Sequence, residues 1–267
     1  MKKYLAMFRI RFSNTLQYRT AALAGISTQF AWGFMEITAF AAFFRSNPAA
    51  FPMAFSHTVS YIWMQQAFLA MFNSWTWESE LFEAIESGAI AYELVRPVDL
   101  YSRWFCQACA NRSARATLRC APILLVAGIL PAPFRMSLPA SASQFGLFVL
   151  SALLALGVVV AFSMLGHISV FYTLSSSGIR TVFAALIGFL AGEIIPIPFF
   201  PEPIRSIAEL LPFSAMQNMP LRIYSGNITG ADAMRGISLQ IVWLAVLLII
   251  GQYAMARALK RVIIQGG

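Results

Sequence analysis

Apolar residues run along this chain in long blocks, and polar residues gather in the gaps between them. Six blocks, 20–44, 57–75, 105–130, 144–172, 181–195 and 237–255, approach the roughly 20 residues that a helix needs to cross a hydrocarbon layer. Blocks of this length suit helices better than barrel strands, because a helix satisfies its own backbone in lipid. The pattern predicts an all-α integral membrane protein of six transmembrane helices, forming a single transmembrane domain over 1–267.

Three further segments depart from the block pattern. At the N-terminus, over 1–19, Leu5, Phe8, Phe12 and Leu16 recur at helical spacing with Arg9, Arg11 and Arg19 around them. That spacing predicts an N-terminal interfacial helix; the alternative is a basic tail that only sets topology. The longest polar interruption is 77–103, where Glu78, Glu80, Glu83, Glu86, Glu93 and Asp99 hold more than half of the chain's 11 acids. The segment 196–236 is apolar yet broken by Pro196, Pro198, Pro201, Pro203, Pro212 and Pro220, with Phe199, Phe200 and Phe213 among them. Ile204, Ile207, Ala208 and Leu211 follow helical spacing and predict a short helix with one apolar face. A segment so apolar and so often broken reads as short re-entrant exterior helices between spans five and six, the alternative being a packed exterior loop.

Composition agrees with a membrane protein: only 11% of residues are charged, mean hydropathy is +0.69, and a soluble domain carries about a quarter charged residues. Lys and Arg near span ends stay in the cytoplasm. An inside start with six spans places 14 of the 19 basic residues on the cytoplasmic side and both termini there. The net charge of +8 therefore reports topology, and no nucleic-acid partner is read from it.

Several chemistries are missing. A P-loop needs a Lys after a Gly-rich turn, and the only lysines, Lys2, Lys3 and Lys260, follow no glycine. This chain cannot be its own P-loop ATPase. The two histidines, His57 and His167, form no HExxH, and GxSxG is absent. Cys106, Cys109 and Cys120 lack a second ligand pair and read as reduced packing residues, so no metal site is expected.

Charges at membrane depth are costly and need a reason. Glu36 lies in the first span, and Arg112, Arg115 and Arg119 share one helical face of the third. They read as a contact for an acidic substrate or lipid headgroup, or as snorkelling and helix-contact residues. Gly188 and Gly192 make a GxxxG pair that fits either a dimer contact or packing within the chain.

Two stretches carry a family resemblance. Ser87, Gly88, Ile90, Ala91, Leu94, Arg96 and Pro97 resemble the signature after the second span of bacterial ATP-binding-cassette (ABC) type-two exporter permeases, in the small six-span subgroup often encoded as a pair with one ATPase. The run from Gly192 to Pro201, then Leu211, Pro212, Phe213, Met219, Pro220, Ile223, Tyr224 and Gly226, is similar to the exterior motif of that family. The resemblance implies a permease subunit that forms a substrate path in the bacterial inner membrane and binds a separate ABC ATPase, in two copies, which holds the ATP and Mg. It also implies a second permease subunit, paralogous or identical, besides membrane lipids, and no cofactor in this chain.

On that reading the loop 77–103 carries a short coupling helix over 78–88, with Glu78, Glu80, Glu83 and Glu86 facing the ATPase. Leu81, Phe82 and Ile85 are expected to seat in its groove, Gly88 to end the helix, and 89–97, through Arg96 and Pro97, to pass movement to the third span. Pro196, Pro198, Phe199, Phe200, Pro201, Pro212 and Phe213 are the expected exterior gate. The competing readings are an ATPase-independent channel or secondary carrier, and an intramembrane enzyme using Glu36, His57, His167 and Glu193.

Overall fold

A computed structural model describes residues 2–17, 19–73, 75–173 and 175–261, and over 19–23 the backbone alone. Residue 18, inside the expected interfacial helix, the Arg19 side chain and residues 262–267 lie outside this description. The described residues form eleven α-helices and two short 3-10 turns, with no strand among them.

The N-terminal helix α1 (Lys2–Thr15) is followed by α2 (Arg19–Ser46) and α3 (Phe55–Phe72). The polar loop folds into α4 (Ser79–Glu86) and α5 (Ile90–Leu94), and then come α6 (Leu100–Ile129), α7 (Ala142–Thr173) and α8 (Ser176–Leu190). The exterior segment contains a 3-10 turn (Ile197–Phe199), α9 (Ile204–Leu210) and α10 (Asn218–Ser225), and α11 (Gly230–Leu259) closes the chain.

Each apolar block lies on one of the long helices, but the boundaries move. The second block ends in a C-cap at Asn73, whose side chain accepts from the Thr76 amide (2.8 Å), so Trp75 lies beyond the helix. The fifth block runs from Ser176 to Leu190. Two helices, α7 and α11, are long and apolar enough to cross a membrane, with hydropathy 2.7 and 2.1 over their best windows. α8 is a shorter apolar helix, and α2, α3 and α6 dilute their apolar runs with Glu36, Gln65, Gln66, Arg112, Arg115 and Arg119.

α7 is the centre of the packing and touches α4, α6, α8, α10 and α11. Val158, Val159, Val160, Ala161 and Met164 are buried there on successive positions around the helix, so α7 is enclosed rather than one-sided. α1 lies along α6, and Arg261, just beyond α11, sits 4.9 Å from the ring of Tyr172 at the end of α7. Both ends of the described chain therefore lie at the end of the bundle that carries α4.

Candidate functional site

α4 is amphipathic, and its apolar side is already occupied. Leu81, Phe82 and Ile85 are buried within the chain. Phe82 stacks on His167 of α7 (4.4 Å between centroids), and the Arg180 guanidinium of α8 lies 4.4 Å over its ring. Trp77 completes the nest, 5.4 Å from Phe82 and 5.8 Å from Phe183. This corrects the expectation that Leu81, Phe82 and Ile85 seat in a groove of another protein. An apolar helix face shows that something covers it, and here α7 and α8 do.

The acids of α4 divide by role. Glu78 is buried and accepts from Asn111 of α6 (2.6 Å), while Asn111 in turn accepts from Thr15 of α1 (3.0 Å). Glu80 pairs with Arg11 (3.1 Å) and accepts from Gln107 (3.2 Å). Glu86 accepts from the Ser176 amide (2.7 Å), at the positive end of α8. Glu83 is exposed. Gly88 follows the helix with φ +76°, the left-handed residue that ends many helices, as the sequence reading expected.

The following link is tied to the third long helix. Glu93 of α5 forms an ion pair with Arg103 and accepts from the Trp104 indole (3.3 Å). Asp99 caps α6 by accepting from the Ser102 amide (2.8 Å), and the Pro97 carbonyl accepts from Lys3 (3.3 Å). Arg96 and Pro97 are exposed. Beside them Tyr92 and Val95, unmarked by the sequence reading, are 79% and 82% exposed and supply the apolar part of this surface. Tyr92 lies in α5 and Val95 caps it, and a single i, i+3 pair in so short a helix is no periodicity to notice.

Charges at membrane depth separate clearly. Arg112 is buried and donates to the carbonyls of Met71 (3.2 Å), Asn73 (3.0 Å) and Thr76 (2.6 Å), closing the end of α3. Its donors are spent on the fold, so it is removed from the expected substrate or lipid contacts. Arg115 and Arg119 form no ion pair among the described residues. Arg119 lies against α2, where a Cβ on Gly25 would come within 2.8 Å of its guanidinium carbon. Glu36 accepts from Gln66 of α3 (3.1 Å), a helix contact.

Gly188 and Gly192 are both buried by their own chain. Gly192 follows α8 with φ +77° and packs against Ile197, so the pair is a helix end and an internal contact. That geometry matches packing within the chain, one of the two readings the spacing allows.

At the opposite end, Phe199 packs on Phe40 (4.7 Å) and Phe51 (4.9 Å), Phe200 on Phe189 (5.4 Å), and Phe213 on Phe162 (5.2 Å). Pro196, Pro198 and Pro212 are buried and Pro201 is exposed. α10, which the sequence reading did not resolve as a helix, is buried among α3, α7 and α11. Tyr61 donates to Asn218 (3.4 Å), Gln144 to the Ile223 carbonyl (2.7 Å) and Gln240 to the Ala215 carbonyl (2.9 Å). Outside the bundle, the Ser206 hydroxyl donates to Glu202 (2.7 Å) and holds that carboxyl below its ordinary range.

The residues proposed for an intramembrane enzyme do not converge. His167 is held by Phe82 and the Ser163 carbonyl (2.9 Å), while His57 lies beside Gly226 at the other end of the bundle. No group of three metal-ligating side chains occurs among the described residues.

No curated protein matches this chain. The family model described as ABC-2 family transporter protein matches residues 30–266, nearly the whole length, over a helical bundle with two membrane-crossing candidates. The chain therefore belongs to the ABC-2 transporter family, and it is a membrane transport subunit of an ABC transporter.

Proposed function

We propose that this chain is the permease of an ATP-driven exporter and receives its drive from a separate ATPase at α4 and α5. The observation that carries the reading is how α4 is fastened. It bonds to α1 and α6 through Glu80 and Glu78, to α7 through Phe82, and to α8 through Glu86 and Arg180. A push on its outer side is passed to four helices at once, through the buried Phe82 stack and the bonds of Glu78, Glu80 and Glu86.

The docking surface is Glu83 with Tyr92, Val95 and Arg96, with Glu80 and Glu86 at its edge. This acidic rim around exposed apolar groups suits a soluble partner with basic residues around a groove. Two ATPase copies, with ATP and Mg bound to them, and a second permease, identical or paralogous, complete the assembly. α2, α3, α6, α7, α8 and α11 are the six spans, in a bacterial plasma membrane with both termini inside.

The excess of basic residues at the α4 end supports this orientation. α9 turns Ile204, Ile207 and Leu210 outward, which suits re-entry into the outer membrane face. The Phe199, Phe51 and Phe40 cluster at that end is the exit gate.

The reading is tested by purifying the tagged chain from its native membrane. An ABC ATPase is expected to co-purify and to hydrolyse ATP, and Glu83→Arg combined with Tyr92→Ala should cut its recovery about tenfold. Full recovery with the double variant would remove α4 and α5 as the contact. Full recovery of a chain with no ATPase at all would favour a channel or secondary carrier.

A further inference from the structure

A cleft of about 310 Å³ opens where α4 meets α8, lined by Trp75, Trp77, Ser79, Arg180, Thr181 and Ala184. Its size falls within the range of ligand pockets, about 300–1,000 Å³. Trp77 and Ser79 belong to the polar segment 77–103, but no residue named from the sequence as a candidate site lines the cleft.

The chemistry of the lining is specific. Arg180 lays one face of its guanidinium on Phe82, which leaves the edge donors for a ligand. It forms no ion pair among the described residues, and its Nε is buried without a hydrogen-bond partner. Glu86, at the α8 end of α4, is engaged by the Ser176 amide (2.7 Å). Glu78 precedes α4 but does not cap it, because its carboxylate goes to Asn111, so the first-turn amides beside Ser79 keep no capping side chain. A positive, hydrogen-bond-donating floor thus lies under two indoles. Trp75 is 56% exposed at the rim, the placement that Trp prefers at a membrane interface.

The geometry points to this cleft as a site for the phosphate headgroup of an anionic phospholipid of the inner leaflet, held by Arg180 and the first turn of α4 with Trp75 against the lipid. Charge complementarity and the amphipathic lining select the ligand: a guanidinium fork matches a phosphate diester, and the indoles match the glycerol and upper acyl chain. The assignment rests on the membrane orientation proposed above. It adds that the lipid sits on the joint between α4 and α8, which transmits the push.

The test uses the purified full-length chain in zwitterionic micelles, titrated with short-chain phosphatidylglycerol while thermal unfolding and Trp fluorescence are followed. A saturable rise in unfolding temperature is expected with phosphatidylglycerol, and none with phosphatidylcholine. Arg180→Gln should weaken the response about tenfold, the loss of one charge-assisted phosphate contact. Thr181→Glu, which leaves the Phe82 stack in place and puts a negative charge in the cleft, should abolish it. Trp75→Phe, which keeps an aromatic ring at the rim, should weaken the thermal response less than Arg180→Gln and lose most of the fluorescence change.

Equal responses to phosphatidylcholine, or an unchanged response in Thr181→Glu, would overturn the site. Saturation by inorganic phosphate with equal affinity would assign the cleft to a free anion and overturn the lipid. These readouts need no ATPase. Their failure with ATPase recovery intact removes the cleft alone, whereas loss of the ATPase partner with lipid selectivity intact removes the docking surface alone.

Discussion

Arg112, Arg115 and Arg119 share a helical face, yet only the first is spent on the backbone. Arg112→Leu would leave the carbonyls of Met71, Asn73 and Thr76 without their buried donor. At about 1–3 kcal/mol for each group left unpaired, a loss of about 3 kcal/mol or more is expected. Arg112→Lys should fall between, because one ammonium does not reproduce the fork. Arg119→Gln should cost far less. Chemical denaturation of the three purified variants checks the order, and equal stability of Arg112→Leu and Arg119→Gln would contradict it. Sequence spacing placed these residues correctly on one face. Their different roles depended on where the end of α3 falls, which no residue on α6 encodes.

Among the elements, α8 shows why spacing leaves a motif open between two readings. Gly188 and Gly192 have the spacing of a helix-packing pair, but Gly192 sits one residue past the helix cap with φ +77°. Spacing alone does not say where a helix stops. A side chain there is strained, and its Cβ would lie 3.1 Å from the Ile197 nitrogen. Gly192→Ala should therefore cost about 1–2 kcal/mol of stability without changing the mass of the purified assembly. Light scattering and thermal unfolding measure both, and a halved mass with unchanged stability would restore the dimer contact.

α4 is the opposite case. The run from Glu78 to Gly88 was readable as a short amphipathic helix with a glycine end, and it folds as one. Its partner was not readable, because amphipathicity reports burial and not what does the burying. Replacing Phe82 by Ala removes a side chain enclosed by His167, Arg180 and Trp77 and should cost about 3–5 kcal/mol, loosening α4 from α8. Limited proteolysis of 77–103 should then accelerate, and unchanged cleavage would show that the stack does not hold the helix.

For the whole molecule, the question is which parts move together. If an ATPase docks on α4 and α5 as proposed, the bonds from α4 to α8 and from α5 to α6 predict that it protects them as a unit. Hydrogen exchange should slow in α4, in α5 and in the first turn of α8, and much less in α9 at the other end of the bundle. Protection confined to α4 and α5 would mean that the push stops at the surface.

By itself the sequence determined the helical class, the position of each long apolar helix and the chemistry this chain lacks. Each of these depends on local spacing and composition, because a hydrocarbon-length apolar run and a missing P-loop Lys are visible without any neighbour. Only the tertiary structure decided that the apolar side of α4 is covered by α7 and α8, that Arg112 closes α3 while Arg180 faces a cleft, and that α10 is buried in the bundle. Those are pairings between residues far apart in the chain, and one chain's order of residues does not state which distant groups meet.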